Sequence, residues 1–301
     1  MSGLSAAPVR GAATLLLIIA NTLVHGVPLI AIALVKLALP RRARPVVSRL
    51  LTALAEDWIA FNTLLLRRQR RMRWEVRGLS GLDPRGWYLV VANHRSWVDI
   101  LALQAVLNRR VPLLKFFIKR ELRWVPVLGL AWWALDMPFM KRYSREELAR
   151  RPELRGADLE TTRRACERFR DLPTSIINFV EGTRFTPEKA ARGGSRYLHL
   201  LNPRAGGIAF VLGAMGPVLH ELLDVTIAYP AGDGGFWDLC CGRITRIVIE
   251  IERRPLEPWL FAGDYAGDEE FRGRFQDWLG ALWAAKDARL GALLGGRAPR
   301  R

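Results

Sequence analysis

The sequence predicts one α/β domain that follows a helical membrane anchor, and two patterns indicate this. From about residue 87 onward, short apolar or β-branched runs alternate with helical patterns, as they do in α/β domains. Before that point, residues 12–39 are almost continuously apolar. We expect the anchor and its basic flank to occupy residues 1–72 and the α/β domain to occupy residues 73–301.

The apolar segment at residues 12–39 is long enough to cross a membrane, because its 28 residues would form a helix of about 42 Å. The sequence Gly26-Val27-Pro28 divides it into halves that are too short to cross alone. One kinked spanning helix and two re-entrant helices both fit this pattern. A cleaved signal peptide fits less well, because the apolar region is long and the basic residues follow it. A pair of buried core helices is the alternative without a membrane.

A second helix is predicted over residues 46–66, with apolar residues at helical spacing and Glu56 and Asp57 on the opposite side. Such a helix suits a membrane interface. Between Lys36 and Arg77 there are 11 basic and three acidic residues, and the whole chain has a net charge of +17. Nearly half of the excess charge therefore flanks the apolar region, which favours an anionic membrane surface as a partner. If residues 12–39 span, this charge places the remainder in the cytoplasm.

The α/β domain is predicted from its alternating elements. The expected strands are residues 87–92, 112–118, 174–180, 222–229 and 244–251. The expected helices are residues 98–107, 159–170, a segment that starts near residue 205, and a final helix. Asp268 is expected to cap the final helix, and its buried face should be Phe271, Phe275, Trp278, Leu279, Leu282 and Trp283. Residues 122–135 are apolar, and residues 142–155 are charged and expected to form a surface excursion.

Composition excludes several classes of protein. Half of the residues are hydrophobic and a quarter are charged, which excludes disordered and collagen-like chains. The three Cys cannot form a disulfide framework and show no zinc-ligand spacing. A nucleic-acid-binding protein would need a recognisable motif or a basic patch interleaved with aromatic residues, and the sequence shows neither.

The first candidate site is the sequence Asn93-His94-Arg95-Ser96-Trp97-Val98-Asp99, which directly follows a predicted strand. A histidine in such a turn can accept a proton from a hydroxyl near neutral pH. Asp99, five residues later, could reach the imidazole from the first turns of the next helix and orient it. A capping Asn beside a structural His would also produce this pattern.

Two further segments carry polar residues suited to an anion. Residues 179–184, with the sequence FVEGTR, also end a predicted strand, and Gly182, Thr183 and Arg184 could approach a phosphate. In the segment FIKREL, Lys119 is one of only six lysines, so it is more informative than a neighbouring arginine such as Arg120. A surface turn and a solvated helix start are the corresponding structural interpretations.

In this order and spacing, the segments resemble the glycerolipid acyltransferase family, the lysophosphatidic acid acyltransferase-like group. The matching blocks are NHRSWVD, IKRELRWVPVLG, FVEGTR and the segment VTIAYP, which ends at Pro230. The resemblance covers roughly residues 75–235 and is nearest to bacterial inner-membrane acyltransferases related to lysocardiolipin acyltransferase. It implies a mixed central sheet flanked by helices.

The resemblance also implies residue roles. His94 would be the general base and Asp99 would orient it, with Asn93 supporting the motif. Arg184, with Lys119 or Arg120, would bind the phosphate of the acceptor, and the remaining residues of that pocket would be Glu181, Gly182 and Thr183. Pro230 would be structural or help to form an acyl tunnel. No metal or organic cofactor is implied.

The implied function is a membrane-bound 1-acyl-glycerophospholipid O-acyltransferase. It would transfer an acyl chain from acyl-CoA or acyl-acyl carrier protein (acyl-ACP) to the sn-2 hydroxyl of lysophosphatidate or a related lysophospholipid. The implied location is the bacterial inner membrane, with the catalytic domain facing the cytoplasm. The alternative is a membrane-anchored lipid-binding or scaffold protein with a degenerate site. Nucleic acid is not expected as a partner.

Overall fold

The computed structural model describes residues 3–40, 42–68, 72–140 and 172–295, together with Arg150, Cys166, Glu167 and Phe169. The expected surface excursion and most of the helix expected at residues 159–170 lie outside the described residues. The helices are α1 (Gly3–Ala38), α2 (Arg44–Arg67), α3 (Val98–Leu107), α4 (Leu128–Ala134), α5 (Pro187–Arg192), α6 (Ala205–Met215), α7 (Phe236–Cys240) and α8 (Glu269–Leu293). The strands are β1 (Arg73–Arg77), β2 (Tyr88–Ala92), β3 (Leu114–Phe116), β4 (Ile118–Lys119), β5 (Phe139–Met140), β6 (Ser175–Phe179), β7 (Glu221–Ala228) and β8 (Arg246–Pro255).

A six-stranded sheet with the order β1-β8-β7-β2-β6-β3 forms the centre of the domain. Only the β7–β8 pair is antiparallel within this sheet, so the expected mixed α/β sheet is confirmed. The strand predicted over residues 112–118 is divided at Phe117. Its first part, β3, is an edge strand of the main sheet, and its second part, β4, pairs with β5 instead.

Helices cover both faces of the sheet. Alternate residues of each strand point to opposite sides, so the apolar strands present an apolar surface on each face. Val90 and Ala92 of β2 pack with Val98 and Leu103 of α3. On the other face, Leu89 and Val91 belong to a second buried cluster with α6 and α8. The sheet is therefore buried on both sides, as parallel strands require.

Helix α8 closes the second face and begins where the sequence predicts. The side chain of Asp268 accepts a hydrogen bond from the backbone N–H of Phe271 at 3.0 Å and so caps the helix. The expected apolar face is confirmed, with Phe275 and Trp283 fully buried. The periodicity did not indicate that Lys286 on the same helix is also fully buried, where its ammonium group pairs with Asp224 of β7.

Helix α1 runs without interruption through the Gly26-Val27-Pro28 sequence. The expected division at this point is therefore not a helix end. Gly26 instead allows a close approach to the start of α4, because a Cβ atom there would lie 2.5 Å from Cγ1 of Val127. The glycine marks a packing contact between helices and not a turn.

The α1 helix packs against α2 but leaves much apolar surface uncovered. Asn21 of α1 is buried and donates hydrogen bonds to the backbone oxygen of Trp58 at 3.0 Å and to Oδ1 of Asn62 at 2.9 Å. Leu16 and Val24 are 66% and 68% exposed, which does not fit a core helix. Among the described residues, the segment Ala6–Ala38 is the one helix that is long and apolar enough to cross a membrane.

Candidate active site

The carboxyl ends of β7, β2, β6 and β3 lie at one edge of the sheet, because these neighbouring strands are parallel. Ala92 at the end of β2 is level with Phe179 of β6 and with Val225 of β7. The segment NHRSWVD begins directly beyond β2, and FVEGTR begins at Phe179, the last residue of β6. Sites in open α/β sheets usually lie in the crevice outside such strand ends. The topology therefore brings the two segments together.

Asn93 fastens the loop that follows β2 to the neighbouring strand β7. Its side-chain amide donates to the backbone oxygen of Ile227 at 2.9 Å and accepts from the backbone N–H of Ile227 at 2.8 Å. The side chain is fully buried, so these two bonds are not exposed to competition from water. Asn93 thus fixes the position at which the next residue, His94, leaves the sheet.

His94 and Asp99 form a hydrogen-bonded pair, with 2.8 Å between Nδ1 and Oδ2. A carboxylate only accepts hydrogen bonds, so Nδ1 carries the hydrogen and Nε2 of the neutral ring carries the lone pair. The imidazole stacks on the ring of Phe179, with 4.2 Å between the ring centroids. The side chain of His94 is 15% exposed and that of Asp99 is fully buried. Nε2 makes no hydrogen bond within the described part of the chain, so it is the nitrogen able to accept a proton from a substrate.

The Asp99 carboxylate is held by three further donors. Oδ2 accepts hydrogen bonds from the backbone N–H groups of Arg95 at 2.6 Å and Ser96 at 2.8 Å. Oδ1 accepts one from the hydroxyl of Tyr229 at 2.6 Å. Burial, followed by the charge of Asp99, raises the pKa of Tyr229 well above its ordinary value, so this hydroxyl stays protonated and donates. Asp99 is therefore locked in one orientation.

Glu181 lies beneath the site as a buried brace. Oε1 accepts a hydrogen bond from the backbone N–H of His94 and Oε2 accepts one from that of Leu201, both at 2.8 Å. Burial raises the pKa of Glu181 to about 7, against the lowering effect of these two bonds. The resemblance places Glu181 in the phosphate pocket. However, the residue is only 1% exposed, and each of its carboxylate oxygens already accepts a hydrogen bond from a backbone N–H. This position does not fit direct contact with a phosphate.

Arg184 is exposed, and its guanidinium lies over the ring of Trp97 with 5.0 Å between Cζ and the ring centroid. Trp97 is in the NHRSWVD segment, so this contact links the two motif segments directly. Thr183 accepts a hydrogen bond from Nζ of Lys189 at 3.0 Å, and the same ammonium group donates to the backbone oxygen of Arg184 at 3.0 Å. The loop turns at Gly182, which has a φ of +69°.

Lys119 is the last residue of β4 and Arg120 directly follows it, so both lie a few residues beyond the carboxyl end of β3. Both are exposed, and Lys119 lies 3.7 Å from a carboxylate oxygen of Glu121. Between described residues, no hydrogen bond or ion pair joins either side chain to the His94 cluster. Pro230 follows Tyr229 in a turn. In this turn the backbone N–H of Gly232 donates a hydrogen bond to the backbone oxygen of Tyr229 at 3.0 Å.

Three contact residues were not singled out from the sequence: Tyr229, Lys189 and Trp97. Tyr229 could have been found from the alternation of β7, because Val225, Ile227 and Tyr229 share the face that packs on α3. No local signal identifies Trp97, because its partner Arg184 comes from another segment. Lys189 was missed although its partners Thr183 and Arg184 lie only six and five residues earlier. In the described part of the chain, no three His, Cys, Asp or Glu side chains are grouped so that they could hold a metal ion.

Comparison with known sequences gives a family match. A family model described as Acyltransferase matches residues 73–229, about half of the chain. The human protein named 1-acyl-sn-glycerol-3-phosphate acyltransferase delta is 27% identical over 227 residues, covering 68% of this chain and 54% of that protein. The mouse protein named 1-acyl-sn-glycerol-3-phosphate acyltransferase gamma is 26% identical over 213 residues, covering 66% of this chain and 51% of that protein. The chain thus spans about half the length of these relatives.

A comparison of structures gives a weaker likeness. The crystal structure of PlsC, the 1-acyl-sn-glycerophosphate acyltransferase of Thermotoga maritima, has a TM-score of 0.47 and 20% sequence identity to this chain. The match covers 92% of this chain and 98% of that protein.

Proposed function

The chain belongs to the Acyltransferase family, and from that premise we propose that it is a membrane-bound 1-acyl-glycerophospholipid O-acyltransferase. The acceptor would be lysophosphatidate or a related lysophospholipid with a free sn-2 hydroxyl. The donor would be a soluble acyl thioester, acyl-CoA or acyl-ACP. The names of the delta and gamma relatives support an acceptor of this chemical class.

The observation that carries this proposal is the pairing of His94 with Asp99. The 2.8 Å bond from Nδ1 to a fully buried carboxylate leaves Nε2 as the basic nitrogen of a partly exposed ring. As the ring gains a proton, the adjacent carboxylate stabilises the imidazolium. A general base with this support contributes about 10²–10⁴-fold to a rate.

The proposed reaction needs no covalent enzyme intermediate. Nε2 of His94 takes the proton of the sn-2 hydroxyl while the hydroxyl oxygen forms a bond to the thioester carbonyl carbon. The tetrahedral intermediate then collapses, the C–S bond breaks, and the departing thiolate takes the proton from the imidazolium. The products are a phospholipid with two acyl chains and the free thiol of the carrier, and His94 returns to its neutral state.

The acceptor phosphate would bind at the mouth of the site. Arg184 is suited to this role because its planar guanidinium can form two parallel hydrogen bonds with a phosphate. Its stacking on Trp97 supports a fixed position beside the loop that carries His94. Thr183 and the backbone at Gly182 would shape the same pocket, with Lys119 at the end of β4 and Arg120 directly after it contributing positive charge. Glu181 would hold the loops without touching the phosphate.

Membrane association would come from residues 1–72, and residues 73–301 would form the acyltransferase domain. The α1 helix is tied to the remainder of the protein at both ends. Arg10 donates to the backbone oxygen of Cys241 at 3.0 Å, and Lys36 forms an ion pair with Asp136 at 3.1 Å. These contacts are separated by about 39 Å of helix, more than the roughly 30 Å of a bilayer core. We therefore propose that α1 lies against the membrane with its exposed apolar face immersed.

The surroundings of this helix support the same location. The exposed apolar side chains of α1 would enter the lipid, and the basic residues between Lys36 and Arg77 would contact anionic headgroups. An acceptor with one acyl chain resides in the bilayer, and a soluble thioester reaches the site from the aqueous side. The location that we propose is the bacterial inner membrane, with the active site on the cytoplasmic side.

Acyl transfer can be tested with purified protein in phospholipid vesicles and a radiolabelled acyl donor. Acyl-CoA and acyl-ACP would each be supplied with lysophosphatidate, lysophosphatidylglycerol or lysocardiolipin. We expect transfer to at least one acceptor, and we expect His94→Ala to abolish it. His220→Ala is a matched control, because His220 precedes β7 at the opposite edge of the sheet. Tight binding of a lysophospholipid without turnover by the wild-type protein would favour the alternative of a lipid-binding scaffold and overturn the proposal.

A further inference from the structure

The buried carboxylate of Asp99 is contacted by groups from two separate parts of the chain. The donors to Oδ2 are local: the ring of His94 and the backbone N–H groups of Arg95 and Ser96. The donor to Oδ1 is Tyr229, which lies beyond the end of β7. Tyr229 is therefore the one side chain outside the NHRSWVD segment, within the described residues, that donates a hydrogen bond to Asp99.

The position of Tyr229 leaves its hydroxyl little freedom. The side chain is 3% exposed and packs in the apolar cluster between the sheet and α3. It continues the face of Val225 and Ile227, which directs it towards the first turn of α3, where Asp99 lies. Asn93 forms two hydrogen bonds with the backbone of Ile227, so the chain segments that carry Tyr229 and Asp99 are joined a second time, two residues before Tyr229 and six residues before Asp99.

We propose that Tyr229 is a positioning residue of the active site. By donating to Oδ1, it holds Asp99 in the orientation that engages His94, and it withdraws part of the negative charge that the imidazole would otherwise experience. Without this donor, a buried oxygen of Asp99 would lose its partner, and the carboxylate would attract the proton of the imidazolium more strongly. His94 would then release its proton less readily at the end of each cycle. The inference rests on the proposed function for its catalytic meaning.

Three other charged groups, each from a different loop, lie around the His94–Asp99 pair, and their charges also affect the titration of His94. Arg95 follows β2, Glu181 follows β6 and Asp233 follows β7. Arg95 forms an ion pair with Asp233 at 3.1 Å, and its charge also lowers the pKa of Glu181. A change confined to the hydroxyl of Tyr229 leaves all three charges in place, so a shift in the titration of His94 can be assigned to the missing hydrogen bond.

The direct test is the titration of His94 in Tyr229→Phe, followed by NMR of ¹⁵N-histidine-labelled protein in detergent. The chain has only four histidines, and His94→Ala identifies the signal. We expect the midpoint of the His94 titration to rise by about one pH unit, because the imidazolium faces a carboxylate with more effective charge. In the acyltransfer assay, the midpoint of the acidic limb of the pH profile of kcat/KM should shift upward by the same amount. We expect kcat at pH 7 to be lower by about tenfold and the KM of the acceptor to be unchanged.

Tyr88→Phe is the matched control. Tyr88 is equally buried, and its hydroxyl also makes a hydrogen bond, with the backbone N–H of Asp83 at 2.9 Å, but it lies at the start of β2, opposite the site. We expect this variant to leave the titration of His94 and the activity unchanged. Incorporation of 3-fluorotyrosine makes the hydroxyl a stronger donor, so it should move the His94 midpoint in the opposite direction, downward.

Two outcomes separate this inference from the proposed function. An unchanged His94 midpoint in both Tyr229→Phe and the fluorinated protein would overturn the role of Tyr229 even if the protein transfers acyl chains. Absence of acyl transfer by the wild type would overturn the proposed function, whereas the NMR titration would still decide whether Tyr229 tunes the His94–Asp99 pair. If Tyr229→Phe does not fold, the fluorinated protein, which retains every tyrosine hydroxyl, supplies the decisive measurement.

Discussion

Glu181 accepts a hydrogen bond from the backbone N–H of His94 at 2.8 Å, so a buried carboxylate from one motif holds the main chain of the other. Its second oxygen binds the backbone N–H of Leu201 at the same distance. The position of the imidazole therefore depends on a residue that faces away from solvent. This relationship gives Glu181 a structural task that is distinct from contact with a substrate.

Replacing Glu181 with Gln should displace the loop that carries His94. A side-chain amide has one acceptor oxygen, so its NH₂ group would face one of the two backbone N–H donors. We expect kcat to fall by about 10- to 100-fold and the free energy of unfolding to fall by about 1–3 kcal/mol. Steady-state kinetics and thermal denaturation would measure these effects. Glu188→Gln is the control, because Glu188 is exposed on α5 and should change neither quantity.

The same residue predicts a pH dependence of stability. Burial raises the pKa of Glu181 from 4.5 to about 7, so between these values the folded protein binds more protons than the unfolded chain. The free energy of unfolding should therefore decrease as the pH rises from about 4.5 to about 7, by on the order of 3 kcal/mol from this group. Chemical denaturation across this range would show a smaller decrease for Glu181→Gln. An equal slope in both proteins would contradict the prediction.

Arg184 should affect the binding of the acceptor and not the binding of the acyl donor. We expect Arg184→Ala to raise the KM for lysophosphatidate by about 10- to 100-fold, because a charge-assisted contact with phosphate is lost. Arg184→Lys should recover only part of this loss, since an ammonium group cannot bind in the planar bidentate manner. The KM of the acyl donor should stay constant. Arg110→Ala, an exposed change beyond the far end of α3, is the control.

Lys286 and Asp224 should be coupled in stability. Both side chains are fully buried, and Nζ of Lys286 also donates to the backbone oxygen of Val225 at 2.6 Å. Removing the ammonium alone in Lys286→Ala should lower the free energy of unfolding by about 3 kcal/mol, because the buried Asp224 carboxylate loses its fully buried cation and keeps only the partly exposed Arg289 and Arg254. The double variant Lys286→Met with Asp224→Leu should lose less than the sum of the single variants Lys286→Met and Asp224→Leu. Denaturation of these two single variants, the double variant and Lys286→Ala, with the exposed change Asp277→Ala as reference, tests the coupling.

Charges on the exposed face of α1 should weaken membrane binding. Leu16 and Val24 are both exposed, and they would be immersed in lipid in the proposed arrangement. We expect Leu16→Asp with Val24→Asp to lower the affinity for vesicles containing phosphatidylglycerol by at least about tenfold, because apolar burial is replaced by the desolvation of two charges. Vesicle flotation would measure this. Ala281→Asp with Ala285→Asp, at exposed positions of α8, should float like the wild type.

Local patterns were sufficient where the partners lie close in sequence. The His94–Asp99 contact spans one strand-to-helix turn, so the spacing placed Asp99 within reach of His94, and the cap at Asp268, which spans three residues, was predicted directly. The strand β1 was not predicted, because its sequence RWEVR is mostly charged and it is recognised as a strand only by pairing with β8. The continuous α1 likewise depends on packing, since Gly26 signals a break in sequence but a helix contact in the structure.

The sequence by itself determined the α/β class, through its periodicity, and it placed a carboxylate within reach of His94, because the two residues are five positions apart. The family and the mixed sheet were predicted from the resemblance of four motif blocks. Only the tertiary structure decided that Glu181 is a buried brace, that Tyr229 completes the shell of Asp99, that Trp97 supports Arg184, and that Lys286 is a core residue. The physical reason is that these contacts join strands and helices distant in the chain. No local pattern encodes the strand order or the packing of the helices. These two features determine which polar atoms form hydrogen bonds with each other and which polar groups are buried away from water.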